Sequence, residues 1–416
     1  MKDRNIFKHI IIALCIYSAE ITVSASFRQS FLIIIITLLL LNIAIRWLSN
    51  SKNNRIPFDN NTQNFIYILF ILWQSLVVIR GLANFETTDS LFFNIFLNPY
   101  SFLAYTIPLF LLLGYRNFDF KYLVKASTVM NIVFVLCVIL FYDDIFTIEY
   151  TLTADEDTGY GVIARLTSRI VSLYRITSFI LLIPFFVEKK IWRLNFICWC
   201  IALIIIMIGA RRSTIFSLTL TGIAALYFYA KYQKTGLWKR VILIIVFLGG
   251  SFAFISNYMG STFALLEERA MENTRKSVEE YMIKDVFENT DDWIWGRGMG
   301  GTYISPLYPE RTSPPRRSSM ETGYLYIILQ GGVISLILYL MLLVPAAIKG
   351  WFRSKNLLTK AFAAYIFISI LELYPFGIPA FSMHFLMIWI GVAMCSSKYM
   401  RNLTNEQIKQ LLFNKA

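Results

Sequence analysis

Residues 322–348 read TGYLYIILQGGVISLILYLMLLVPAAI, twenty-seven residues without one Asp, Glu, Lys or Arg. About twenty apolar residues, rising 1.5 Å each, cross a hydrocarbon layer of about 30 Å. The run therefore reads as a membrane-spanning helix. Glu321 stands directly before it, and Lys349, Arg353, Lys355 and Lys360 follow it. Positive loops stay on the cytoplasmic side, so this end points inward.

The same reading extends over the whole chain. It has 416 residues, 57% of them hydrophobic, and a mean hydropathy of +0.58. Spans are expected at about 8–25, 28–48, 64–82, 100–115, 126–142, 169–187, 194–210, 213–230, 241–258, 322–348, 361–374 and 380–397. The fold class is thus an all-α polytopic membrane protein of about twelve transmembrane helices, with both termini inside. Each inner loop carries at least three basic residues, such as Arg116/Lys121/Lys125 and Lys189/Lys190/Arg193. The chain divides into spans one to nine (1–258), a large outer loop (259–320), and spans ten to twelve with a tail (321–416). Lys2, Arg4 and Lys8 before an apolar run also fit a signal peptide. An uncleaved first span is the preferred reading.

Net charge is +13, but it arises from the cytoplasmic excess and does not point to nucleic acid. The inner side collects 24 of the 39 Lys+Arg. The other fifteen fall outside, and thirteen of those are arginine: Arg28, Arg80, Arg165, Arg169, Arg175, Arg211, Arg212, Arg269, Arg275, Arg297, Arg311, Arg316 and Arg317. Orientation is indifferent to the choice of cation. Arginine chosen over lysine points to forked recognition of phosphate or carboxylate. The five cysteines all lie in apolar runs, and His9 and His384 cannot make a metal cluster.

In the large loop, Ser261–Asn289 has a helical apolar stripe through Val278, Met282 and Val286. Trp293 to Pro315 is rich in Gly and Pro and reads as irregular. No internal repeat is visible. Arg211 and Arg212 sit between two apolar spans with almost no loop, either as a snorkelling pair or as a phosphate clamp facing a cavity. Arg165, Arg169 and Arg175 run into span six, and Glu20 and Glu372 are candidate partners for such arginines. Glu321 has two readings, a general base with a raised pKa or an acid favoured at a helix N-terminus. Arg297 lies in a Gly-rich turn near a ligand, and His384 reads as a satisfied buried imidazole.

Three stretches together resemble the O-antigen polymerase and ligase superfamily of bacterial envelope glycan assembly. They are Gly209-Ala-Arg-Arg-Ser-Thr, Trp293-Ile-Trp-Gly-Arg-Gly-Met-Gly-Gly, and Glu321-Thr-Gly-Tyr-Leu-Tyr-Ile-Ile-Leu-Gln-Gly-Gly. The resemblance implies a C-type glycosyltransferase-like fold in the bacterial inner membrane. It implies undecaprenyl-diphosphate-linked oligosaccharide as donor, and metal-independent, cofactor-free transfer at the periplasmic face. Arg211 or Arg212, with Arg175, match the residues that hold the leaving diphosphate. Arg165, Arg169, Arg297 and Tyr324 become substrate-binding candidates, and Glu321 the candidate base. Ligases of the superfamily carry a His-Asn pair where this chain has Glu321-Thr322. That departure favours a polymerase, served by a separate chain-length regulator. The alternatives are a ligase that transfers glycan to lipid A-core and, from another class, a flippase of the same lipid-linked units.

Overall fold

The computed structural model describes residues 2–23, 57–85, 101–146, 160–175, 177–208, 212–233, 274–288, 290–305, 316–318, 320–376 and 381–413, with isolated positions between them. It is an all-α membrane protein, apart from one two-stranded pairing among the described residues. Among the described residues, six helices are long and apolar enough to cross a membrane: Asn61–Asn84, Phe120–Leu140, Lys189–Ile208, Ser213–Tyr232, Gly323–Phe352 and Leu357–Pro375. Each falls on an expected span. Ile6–Tyr17 and Met383–Ser396 are shorter apolar helices at the first and last expected spans. The expected spans 28–48 and 241–258 lie outside the described residues except at isolated positions.

Two expected spans take a different form. Residues 100–115 give a helix of only 13 residues, Phe102–Gly114, with Pro108 inside it. At 1.5 Å per residue it reaches about 20 Å, short of a full crossing. Residues 169–187 are not one helix. A helix runs Tyr160–Arg175 and stops, and a 3₁₀ segment covers Ser178–Leu182. Three hydroxyls compete with the helix by bonding carbonyls three residues back: Ser172 to Arg169, Thr177 to Tyr174 and Ser178 to Arg175. Pro184 then removes a backbone donor and moves the preceding Ile183 out of helix, to φ −120° and ψ 47°.

The chain forms two compact units. The first comprises 1–13, 28–118 and 274–408. Its helices are the start of α1 (Lys2–Val23), then α2 (Asn61–Gly81) and α3 (Phe102–Gly114). From the second half of the chain come α9 (Thr274–Phe287), α10 (Thr290–Trp295), α11 (Gly323–Phe352), α12 (Leu357–Phe376) and α13 (Met383–Ser396). α11 packs on α2, α10, α12 and α13. α13 is buried along nearly its whole length, with only His384 partly open. A helix apolar on every side belongs inside a bundle. Caps fix the helix starts: Asn60 accepts from Thr62 N at 3.2 Å and Ser382 from Phe385 N at 3.4 Å. Gln74 and Ser335 tie α2 to α11 through a buried 2.8 Å hydrogen bond.

The second unit comprises 14–27, 119–273 and 409–416. It holds α4 (Phe120–Leu140), capped by Asp119, the short α5 (Tyr142–Phe146), and α6 (Tyr160–Arg175). The helices α7 (Lys189–Ile208) and α8 (Arg212–Gln233) follow. α4 packs on α6 and α7, and α7 packs on α8. Trp199 fills the α7–α8 contact, donating its Nε1 to Leu218 O at 2.9 Å with its ring against Gly222. The 3₁₀ run Ser178–Leu182 is entirely buried and packs on α7 and α8.

Candidate functional site

The two Gly-rich motifs, thirty-odd residues apart in sequence, are one built object. α11 is broken at Gly332, whose φ of 70° and ψ of 177° are open almost only to glycine. The break leaves carbonyls of the preceding turn without helical donors. The Gly296–Met299 turn supplies them: Arg297 N donates to Leu329 O at 2.7 Å and Gly298 N to Gln330 O at 2.8 Å. Trp73 Nε1 takes Gly331 O at 2.8 Å. A Cβ on Gly332 would lie 1.8 Å from Ile294 O, and one on Gly296 would lie 2.4 Å from Gln330 O. Both glycines are therefore required by close approach as well as by conformation. Non-helical backbone at a membrane segment is tolerated where protein covers it, and here the turn covers it.

The end of α2 clamps the other side of the turn. Arg80 donates to Trp295 O at 2.8 Å and to Gly296 O at 2.6 Å, and Asn84 Nδ2 donates to Arg297 O and Met299 O, both at 2.9 Å. Met299 N reaches Val77 O at 3.0 Å. Trp73 and Trp295 stack with centroids 5.2 Å apart.

Arg297 itself is fully engaged. Nη1 meets Asp285 Oδ2 at 2.5 Å and Thr302 O at 2.7 Å, Nε meets Asp292 Oδ2 at 2.8 Å, and Nη2 meets Asp285 O at 3.1 Å. Burial works to lower its pKa, but hydrogen bonds and charges from Asp285 and Asp292 outweigh that and raise it. Two carboxylates neutralise the guanidinium, so Arg297 holds α9, α10 and the loop together rather than presenting a spare positive charge. The loop read as irregular contains α10 and an antiparallel pair, β1 (Tyr303–Ile304) with β2 (Arg316–Arg317). The described part of the amphipathic helix, α9, buries Met282 and Val286 against Leu325, Ile328 and Leu329 of α11, with Val278 packed beside them.

At the start of α11, Glu321 is exposed and Thr322 buried, and the Thr322 hydroxyl donates to Glu279 of α9. Tyr324 faces Tyr374 with rings 13° from parallel and centroids 6.1 Å apart. Deeper in the bundle, the Tyr365 hydroxyl lies 2.5 Å from His384 Nδ1, and His384 Nε2 lies 3.2 Å from Glu372 Oε2. The second contact is within ion-pair distance but off the hydrogen-bond direction. Between α2, α3, α11 and α13 lies a small cavity of about 40 Å³, walled by Phe70, Tyr105, Tyr326, Tyr339, Phe385 and Trp389.

Arg297, Glu321 and Tyr324 thus belong to the first unit. The remaining expected site arginines belong to the second unit. Arg169 and Arg175 are half-buried on α6, and Arg175 is its last residue. Arg165 lies on α6 and Arg212 opens α8, while the side chains of both, like all of Arg211, lie outside the described residues. The side chain of Glu20 lies outside them too. Sequence reasoning missed Glu279 as the partner of Thr322 and Arg80 as the clamp on the turn. Arg80 was visible as an arginine at the outer end of a span, but nothing in its neighbourhood named the backbone it would hold. Compared with protein-family models, with characterised proteins and with solved structures, the chain has no match.

Proposed function

We propose that the protein is a membrane glycosyltransferase that joins undecaprenyl-diphosphate-linked oligosaccharide repeats into O-antigen or capsular polysaccharide. In this reading it is a polytopic, C-type-like enzyme of the bacterial inner membrane, with its site facing the periplasm. An acceptor hydroxyl attacks the reducing-end sugar of the donor, and the lipid diphosphate leaves. Arginines at the span ends, Arg211 or Arg212 with Arg175, stabilise the charge that grows on the diphosphate. Glu321 takes the hydroxyl proton. Arg297 has a positioning role and is left out of the clamp, because its charge is already matched.

The observation that carries this reading is the docking of the Gly296–Met299 turn into the break at Gly332. Two of the three stretches behind the resemblance are thereby a single construction. Glu321 is exposed just before α11, three residues ahead of Tyr324, which faces Tyr374. Aromatic faces of this kind suit sugar rings.

Purified protein in liposomes separates the readings. With lipid-linked repeats alone, a polymerase yields a ladder of products. Product formed only after lipid A-core is added would identify a ligase. Movement of the lipid across the bilayer with no bond formed would identify a flippase.

A further inference from the structure

A second polar cluster lies at the opposite end of the first unit, where α2 and α12 begin and α11 and α13 end. Arg401 is 8% exposed. Its Nη2 meets Asp59 Oδ2 at 3.0 Å and Ser396 O at 3.5 Å, while its Nε is buried with no partner. Lys349 Nζ donates to Gln63 Oε1 at 2.5 Å, and Gln63 Nε2 is likewise buried and unpartnered. The hydroxyls of Ser354 and Ser396 share that condition. Lys355 N bonds Arg401 O at 2.8 Å, and Asn356 Nδ2 bonds Met400 O at 2.8 Å, which brings the start of α12 against this segment.

The charge is lopsided. Lys349 has Arg401, Arg353 and Asp59 as its charged neighbours, three cations to one carboxylate. Arg401 Nε and Gln63 Nε2 are donors, and the two serine hydroxyls can donate. A buried donor is rarely left unmade, and a buried guanidinium nitrogen more rarely still. Orientation of the chain needs positive charge at this end, but it does not need buried Nε–H, amide and hydroxyl groups around that charge. A group with several acceptor oxygens and negative charge matches this set of donors and the charge beside it. Three helices that start or end here, Asn61–Asn84, Gly323–Phe352 and Leu357–Pro375, are long enough to span a bilayer, so the cluster sits at headgroup depth.

We infer that Arg401, Lys349, Gln63, Ser354 and Ser396 form a site for a phosphate group, presented by an anionic phospholipid headgroup or as free phosphate. The site is independent of the glycan chemistry, and its test needs no turnover.

The test is thermal unfolding of the purified full-length chain, followed by tryptophan fluorescence in neutral detergent. Separate additions are phosphatidylglycerol, phosphatidylcholine and inorganic phosphate. The expected result is a rise in melting temperature with phosphatidylglycerol that phosphatidylcholine does not give. A rise with millimolar inorganic phosphate alone identifies the free ion as the source, and its absence identifies the lipid. Arg401→Gln removes the effect but also drops the Asp59 contact and so risks misfolding. The deciding variant is Ser354→Ala with Ser396→Ala, which leaves every charge and every hydrogen bond described above in place. It is expected to halve the phosphatidylglycerol shift or more, while the melting temperature without ligand stays level or rises. An equal shift from both lipids, or an undiminished shift in the serine pair variant, overturns the inference.

Discussion

Gly332→Ala is the sharpest probe of the construction that joins the two Gly-rich motifs. The substitution asks a side chain to occupy φ 70° and ψ 177°, at a cost of about 1–3 kcal/mol. It also places a Cβ 1.8 Å from Ile294 O, a backbone atom that cannot rotate away. The backbone around the turn must then shift. The two bonds from Arg297 N and Gly298 N to the carbonyls before the break are lost or lengthened, at about 1 kcal/mol each. Together these weaken docking of the turn by about 3–5 kcal/mol, or roughly two to three and a half decades in the open fraction at about 1.4 kcal/mol per tenfold. Hydrogen exchange read by mass spectrometry over residues 295–301 measures that fraction. Exchange there is expected to accelerate at least a hundredfold, with exchange across α7 and α8 of the second unit unchanged. Gly296→Ala should behave alike, and Gly249→Ala, where a Cβ meets nothing within 4 Å, should not. Wild-type protection of residues 295–301 in Gly332→Ala would refute the argument.

Other outcomes follow from the same contacts. Arg297→Lys keeps the charge but cannot bridge Asp285 and Asp292 together, so thermal stability of the purified protein should fall by about 1–3 kcal/mol, with Asp285→Asn causing a loss of similar size. Stability unchanged in both would remove Arg297 as the loop's anchor. Arg211→Lys and Arg212→Lys lose the guanidinium fork, and at least one should abolish chain elongation while membrane insertion stays normal; full activity in both excludes the clamp. Glu321→Gln should reduce turnover at least a hundredfold with little change in donor binding, and near-normal turnover would leave Glu321 as a helix-start acid only.

What the sequence revealed and what it hid have physical causes. Long apolar runs flanked by basic residues need no tertiary information, so Phe120–Leu140, Lys189–Ile208 and Gly323–Phe352 were visible in advance. The stripe Val278, Met282, Val286 showed for the same reason, being a period that local geometry imposes. Residues 169–187 misled because their apolar content satisfied a span, whereas hydroxyls bonding three residues back accompany the end of the helix at Arg175, and Pro184 closes the 3₁₀ run that follows. The break at Gly332 was hidden by the hydrophobicity around it: a left-handed glycine and a helical one look alike in sequence. Arg297 was read as a ligand contact because nothing local announces that Asp285 and Asp292, twelve and five residues earlier, both turn toward it. His384 reads in sequence as a satisfied buried imidazole, whereas it is only partly buried and its Nε2 makes no hydrogen bond; its neighbours Tyr365 and Glu372 come from another helix, and only folding selects them.

The most direct test of the central proposal is product stoichiometry. Purified protein is supplied with one homogeneous lipid-linked repeat, and mass spectrometry follows both the glycan and the released undecaprenyl diphosphate. The account predicts products that grow by whole repeats while staying attached to lipid, with one diphosphate lipid released for each bond formed. Diphosphate release without longer glycans, or no bond formation with any acceptor hydroxyl offered, would contradict it.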